Sequence, residues 1–474
     1  MKLILILNLL FISILTSGTT YYVDSLSGKD TNNGSSPYNP WNSIERVNSA
    51  KLYPGDSILF KRGNIFRGNL VPISGSISGF VTYAAYGAGI KPKLYGSIQK
   101  ILTTDWIRES TNIWISKLSF KDDNLKKLSD VGNIIFNNEA FCGIKVKQEE
   151  DLNNQGKFWY DYNNGILKIY SASNPAVFYT SIEIALRQNI INLLKKSYIS
   201  FRNLDIRYGA AHGIGGSNSY HINIIDIDFS YIGGGFQRDH GDGKVRYGNG
   251  VEFWGASHDI IVERCSFNQI YDAAITAQGV EPKDSYEAYN IYFRYNIIKN
   301  CEYSFELWGR GPDSYLHDIY FENNTCLFAG YGWGHIQRPD PNGTHLLLWT
   351  FSAKSNNIYV VNNIFYESIN WSIRGRISEL GKIICDNNCW YQSSGPIAKL
   401  GDTIFDFATQ WAQYKQTSGQ DAHSIAADPL LNSDYTLSKN SPCVGSGIIS
   451  ESVIEDYKQI KGPLKGKTNM GAYE

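Results

Sequence analysis

Two glutamates, Glu252 and Glu306, stand at equivalent places in the similar short segments Val251-Glu252-Phe253-Trp254 and Phe305-Glu306-Leu307-Trp308. Paired carboxyls suit acid–base cleavage of a glycosidic bond, one protonated toward the leaving oxygen and one charged toward water. A tryptophan two residues on offers a flat face to a sugar ring. Three further segments resemble these: Ile275-Thr276-Ala277-Gln278, Gly334-His335-Ile336-Gln337 and Trp371-Ser372-Ile373-Arg374. With first and third residues facing inward, the second positions form a column of Glu252, Thr276, Glu306, His335 and Ser372. The fourth positions form another, Trp254, Gln278, Trp308, Gln337 and Arg374. This pattern predicts Glu252 and Glu306 as the catalytic pair, with Asp272 and His335 as further acid–base groups. Sugar contacts are expected from Trp254, Trp308, Gln278, Gln337 and Arg374. Arg338, Asp340 and His345 join them from the polar turn that follows His335. The competing reading is a polar ladder on a solvated face.

Such columns need strands stacked in register, and the chain repeats a phrase that supplies them. Ile-x-Phe or Ile-x-Val, then a polar residue and often Asn, recurs from Ile199, Ile222, Ile260, Ile291, Ile319, Ile358 and Ile383. Alternation puts the first and third residues of each copy on one face. The Asn can turn the backbone and stack on the Asn of the next copy. Short strands repeated in this way, with loops of variable length between them, predict an all-β chain wound as a right-handed parallel β-helix. Coils stack at ~4.8 Å, which sets Glu252 and Glu306 roughly 9–10 Å apart at the backbone. Inverting glycosidases hold their carboxyls ~6.5–9.5 Å apart and retaining ones ~5–5.5 Å, so the spacing leans toward inversion.

The expected organisation is a signal peptide over 1–18, an N-terminal cap and first coils over 19–97 and a β-rich insert over 98–186. Central coils follow over 187–400, then C-terminal coils and a cap over 401–474. Lys2, an apolar stretch from Leu3 to Leu15 and Thr16-Ser17-Gly18 have the three regions of a secretory leader. The insert lacks the repeat phrase and contains a hairpin, Phe158–Asp161 with Ile166–Tyr170 around Asn163-Asn164-Gly165. Amphipathic stretches at Pro40–Ala50 and Phe405–Tyr414 are expected caps. Lys and Arg number 44 against 45 Asp and Glu, which argues against nucleic acid or an anionic membrane as partner. Seven cysteines leave an odd thiol and read mostly as small core hydrophobes. Sequons at Asn33, Asn323, Asn342 and Asn370 are candidate glycosylation sites. Asp239, Asp242 and Asp272 are oxygen donors that could take calcium, but no calcium-loop spacing is present, so no cofactor is expected.

Tyr21-Tyr22-Val23-Asp24, Gly28-Lys29-Asp30, Asn33-Gly34, Pro40-Trp41-Asn42-Ser43-Ile44 and Pro54-Gly55-Asp56-Ser57-Ile58 resemble the opening of secreted β-helix proteins of the pectate-lyase-like superfamily. Asp428-Pro429-Leu430, Ser441-Pro442 and Met470-Gly471-Ala472-Tyr473-Glu474 resemble its ending. The resemblance spans nearly the whole chain and implies the fold. Its members include hydrolases, lyases, epimerases and non-catalytic binders, so it leaves the reaction open. The Asn-x-Asp, Gly-His-Gly and Arg-x-Lys set of polygalacturonases is missing, and no catalytic residue is carried over. The expectation is a secreted monomer that hydrolyses a polysaccharide. The rivals are a lyase acting by β-elimination on a uronate polymer and a carbohydrate-binding or adhesive surface protein.

Overall fold

The structure, a computed structural model, describes residues 18–118, 130–161, 163–237, 245–279, 285–449, 455–462 and 466–473. The expected leader lies outside the described residues apart from Gly18. So do Asp239 and Asp242 of the polar loop after Gly233.

Three long sheets run the length of the solenoid, with ten, ten and nine strands. Each coil contributes one strand to each. One coil runs His258–Glu263, Ser266–Ile270 and Ala273–Gln278, and the next runs Glu287–Arg294, Ile297–Lys299 and Tyr303–Trp308. Successive coils pair in parallel, so every central strand has its ladder satisfied on both sides. The chain is therefore a right-handed parallel β-helix.

The repeat phrase sets the register. Ile199, Ile222, Ile260, Ile291, Ile319 and Ile358 are paired rung to rung. Ile384 pairs with Tyr359, which aligns Ile383 with Ile358. All seven isoleucines are buried. Burying such a side chain contributes about 1.5–3 kcal/mol, so one ladder forms a large share of the core. The corner after each phrase uses two residues for two jobs. Asn203, Asp226, Arg264, Tyr295, Asn323, Asn362 and Asn387 take φ of 52° to 58° and turn the chain into the next sheet. The following Asn296, Asn324, Asn363 and Asn388 are fully buried, and each passes its amide hydrogen to the next at 3.0 Å. This chain of amides satisfies groups that burial would otherwise penalise.

The expected hairpin forms: Lys157–Asp161 pairs antiparallel with Ile166–Tyr170, Phe158 facing Ile169. It belongs to a five-stranded sheet, beside a four-stranded sheet that includes Val131–Phe136 and Ile182–Leu186. Near the N-terminus, Ile44–Asn48 is helical and turns Ile44 and Val47 into the core. Toward the other end the helix spans Phe407–Ser418, and Phe405 lies in the strand before it. All seven cysteines are free, and six are buried. Two of the four sequons are poor acceptors in the folded chain, because Asn323 and Asn342 are buried and hydrogen-bonded. No helix among the described residues is long and apolar enough to cross a membrane.

Loop length varies mainly between the second and third strand of a coil. Two of these connections are long, residues 233–250 and 330–343. Described residues of both, Gln237 and Val245 to Tyr247 in the first and Arg338 and Asp340 in the second, lie over the third sheet beside Asp272. Gly233 and Gly248 close the first one, with φ of +102° and +135°; a Cβ on Gly248 would meet the Gly233 Cα at 2.2 Å.

Candidate active site

The third sheet sets the columns. Val251–Trp254 pairs with Ala273–Gln278, which pairs with Tyr303–Trp308. Glu252, Thr276 and Glu306 fall in one column, and Trp254, Gln278 and Trp308 in the next. The fourth rung differs from the sequence expectation. It is Thr344–Leu348, with Leu347 opposite Glu306, whereas His335–Gln337 is a turn of 3-10 helix in the overhanging loop. The fifth rung is shifted by two residues: Arg374 faces Leu347 and so continues the glutamate column, while Ser372 is buried against Ser368. Lys399 follows on the sixth rung.

A cleft of about 510 Å³ lies over this sheet. Glu252, Asp272, Glu306, Trp254, Trp308, Gln278, Arg338 and Asp340 all line it. The overhanging loops shield these groups more than an open groove would; Glu306 is 9% exposed and Thr276 is fully buried. Burial pushes the Glu252 carboxyl up to about 7, opposed by the amide of Asn249, which donates to Oε2 at 2.9 Å. Its other oxygen, Oε1, lies 3.2 Å from His212 Nε2. His212 Nδ1 accepts the Asn249 backbone N–H, so Nε2 carries the hydrogen and donates. Burial holds His212 down near about 4, so the ring is neutral there. Gly215 makes room for it, since a Cβ at that position would lie 2.9 Å from the His212 Cβ.

Glu306 is pushed up to about 8, by burial first and then by the nearby Asp272 and Glu252. Gln278 donates to its Oε2 at 2.8 Å. Asp272 is also raised by burial, against the pull of Arg338, whose Nη1 lies 3.1 Å from Oδ1. Three acids in one low-dielectric cleft cannot all be charged together, so the site keeps a proton near neutrality.

Arg338 is held from several sides. It donates to the Tyr271 carbonyl at 3.0 Å and packs over the rings of Tyr271 and Tyr303. Glu302 lies 3.9 Å from its Nε. Burial disfavours a charge on Glu302, but His335, Arg338 and the Gly343 N–H outweigh it and hold this carboxyl low. His335 therefore serves Glu302, at 3.0 Å, rather than the cleft, as its place on a loop and not on a strand dictates. Gln337 bonds Lys145 N, Gly143 O and Arg246, tying the insert to the overhanging loop. His345 is a core histidine: burial lowers it to about 4, and it bonds Ser304 and the Glu367 carbonyl. Arg374 lines a neighbouring depression instead. Asp340 sits at the exposed rim, 3.8 Å from Arg338.

The two tryptophans do not form separate platforms a sugar length apart. Their ring centroids are 5.4 Å apart, edge to face, although Gln278 occupies the rung between them. Arg310 covers the Trp308 ring at 4.9 Å. Sequence reasoning missed His212, Asn249, Arg310 and Trp349, all in the cleft wall. Trp349 directly follows Leu348, which pairs with Leu307, and so extends the tryptophan column; it is 42% exposed. Among the described residues, no group of three or more His, Cys, Asp or Glu side chains is arranged to hold a metal ion.

No protein-family model matches the chain. A lacto-N-biosidase of Bifidobacterium longum subsp. longum is 42% identical over 77 residues, which are 15% of this chain and 5% of that protein. The matched stretch is thus a small part of the relative. Among solved structures, one titled glycoside hydrolase is 11% identical with a TM-score of 0.45, covering 81% of this chain and 89% of the other. A GH136 lacto-N-biosidase from Eubacterium ramulus is 15% identical with a TM-score of 0.34, covering 81% and 67%. The pectate lyase Pel9A is 12% identical with a TM-score of 0.37, covering 97% of each chain. By its own strand pairing the chain has the right-handed parallel β-helix fold, with a cleft in which Glu252 and Glu306 stand on alternate rungs of a single column.

Proposed function

We propose that the chain is an exported carbohydrate-active enzyme, a glycoside hydrolase that inverts configuration with Glu306 as general acid and Glu252 as general base. The observation that supports this most is the pair itself: the buried Glu306 and the half-buried Glu252 in one cleft, both raised into the neutral range. Glu306, the higher of the two, keeps its proton near neutral pH and gives it to the glycosidic oxygen. Glu252, with His212 and Asn249 donating to its two oxygens, is the better placed to be charged and takes a proton from water. That water attacks the anomeric carbon as the bond to the leaving oxygen breaks. The two-rung separation, roughly 9–10 Å at the backbone, leaves room for the water between carboxyl and sugar. Asp272 and Arg338 are positioning groups, a fixed charge pair beside the acid. The partial likeness to a lacto-N-biosidase is a further support for an enzyme acting on glycans.

The test is turnover on a panel of oligo- and polysaccharides, read as reducing ends and as ultraviolet-absorbing unsaturated products. Hydrolysis releases the first without the second, and Glu252→Gln and Glu306→Gln each remove most of it. Unsaturated products would mean elimination and reject this mechanism. Full activity in either variant would reject the paired carboxyls.

A further inference from the structure

Next to the cleft, on the same sheet, lies a second depression of about 450 Å³, lined by Trp349, Arg374, Arg376, Lys399, Glu379 and Asp402, among others. Trp349 lines both hollows and forms the ridge between them. The column that carries Glu252 and Glu306 passes Leu347, still in the first cleft, and enters this second hollow as Arg374 and Lys399. Acids thus occupy one end of the column and cations the other.

Arg374 and Lys399 face each other on adjacent rungs. Like charges directly opposite in a sheet repel. Both lie over the ring of Trp371, Arg374 at 5.5 Å and Lys399 at 4.9 Å, and Arg374 also approaches Trp349 at 5.8 Å. Among the described residues, neither cation lies within ion-pair distance of a carboxylate, nor does Arg376. Glu379 also lines the hollow, but it is buried and its oxygens accept the backbone N–H groups of Arg376 and Phe351 instead of pairing with these side chains. Asp402 is exposed at the edge. The hollow therefore presents three cations and an exposed indole against two carboxylates, Glu379 and the exposed Asp402, neither of which forms an ion pair with Arg374, Lys399 or Arg376.

We propose that this hollow is a subsite for an anionic sugar unit, a carboxylated or sulfated ring that stacks on Trp349 while its acid group bridges Arg374 and Lys399. The inference rests on the hydrolase reading in placing the subsite on the substrate's path. Arg374 is two rungs from Glu306, roughly 9–10 Å. This is near the reach of two sugar units in an extended chain, so the acidic ring lies close to the bond being cut. An arginine suits such a group because its fork can take both oxygens of a carboxylate or sulfate.

The test uses the full chain carrying Glu306→Gln, to prevent turnover, with titration calorimetry against three probes. They are a uronic-acid oligosaccharide, its carboxyl-reduced counterpart and a sulfated oligosaccharide. At least one acidic probe is expected to bind about tenfold tighter than the neutral chain, in a salt-sensitive way. Adding Arg374→Gln and Lys399→Gln together removes that preference, while the melting temperature holds or rises as the repulsion is relieved. Which acidic probe binds tells carboxylate from sulfate. Equal affinity for acidic and neutral chains, a preference that survives the double substitution, or no binding of either acidic probe overturns the subsite. The hydrolase reading is judged separately, by turnover of the unmodified enzyme. A preference that depends on Arg374 and Lys399 without turnover sinks only the latter reading.

Discussion

Replacing Glu306 with Gln should stabilise the fold while abolishing turnover, because the same burial that makes it an acid strains the folded chain. Its carboxyl moves from an ordinary 4.5 to about 8 on folding. Between those values the folded chain keeps a proton that the unfolded chain releases, so stability falls as pH rises through the window. Below the lower value both states are protonated and the penalty vanishes. Linkage gives a cost of about 3 kcal/mol near pH 7 and about 5 kcal/mol near pH 9. The amide of the Glu306→Gln variant has no proton to lose in this range and still offers an oxygen to the Gln278 amide. A chain of 474 residues unfolds with an entropy of about 1 kcal/mol per degree. The variant should then melt about 3 °C higher near neutrality and about 5 °C higher near pH 9, converging with the wild type near pH 4. Melting curves by circular dichroism across that range, with reducing-end assays alongside, measure both effects; turnover should drop by about 100-fold or more. A variant whose melting point runs parallel to the wild type at every pH would show that Glu306 does not hold a proton in the fold. The acid assignment would fall with it.

The pH–rate profile should be a narrow bell, rising as Glu252 ionises near about 7 and falling as Glu306 ionises near about 8. Asn249→Ala removes a donor to the Glu252 carboxylate, so the rising limb should move to higher pH; an unmoved limb would dissociate Glu252 from it. Trp349→Ala, at an exposed ring, should weaken oligosaccharide binding about tenfold at constant melting temperature. Trp308→Ala, which also strips the face beneath Arg310, should lower stability as well. Ile291→Asp puts an unpaired charge in the central ladder, and the chain should fail to reach a cooperative folded state by circular dichroism.

The inward ladder was legible because its phrase recurs with alternation intact, and register in a parallel sheet follows directly from alternation. For the same reason the first three rungs of the active column could be aligned from sequence. The fourth could not. Gly334-His335-Ile336-Gln337 imitates an alternating strand, whereas the true rung contains Leu346-Leu347-Leu348, an apolar run that hides the period of two. That error displaced His335 and Gln337 together, while Arg374 moved with the two-residue shift of its own rung. His212 escaped notice because the strand that follows it, Ile214-Gly215-Gly216-Ser217, has glycines where outward side chains would mark it. The contacts of Arg338 with Glu302 and Tyr303 depend on how a long loop folds back, and spacing carries no trace of that. Burial of the acids was likewise invisible, since it comes from the loops and not from the strands that bear them.

Because each coil adds one rung of fixed height, the column works as a ruler marked only in whole steps. Two groups on it can be one, two or three steps apart, and no small backbone adjustment yields an intermediate value. Glu252 and Glu306 sit two marks apart, with Thr276 on the mark between. A new acid at Thr276, or the deletion of an entire coil, would set two carboxyl-bearing positions one step apart. Backbone separation in such a scaffold is thus set digitally, by coil count. The loops remain free to vary what is bound.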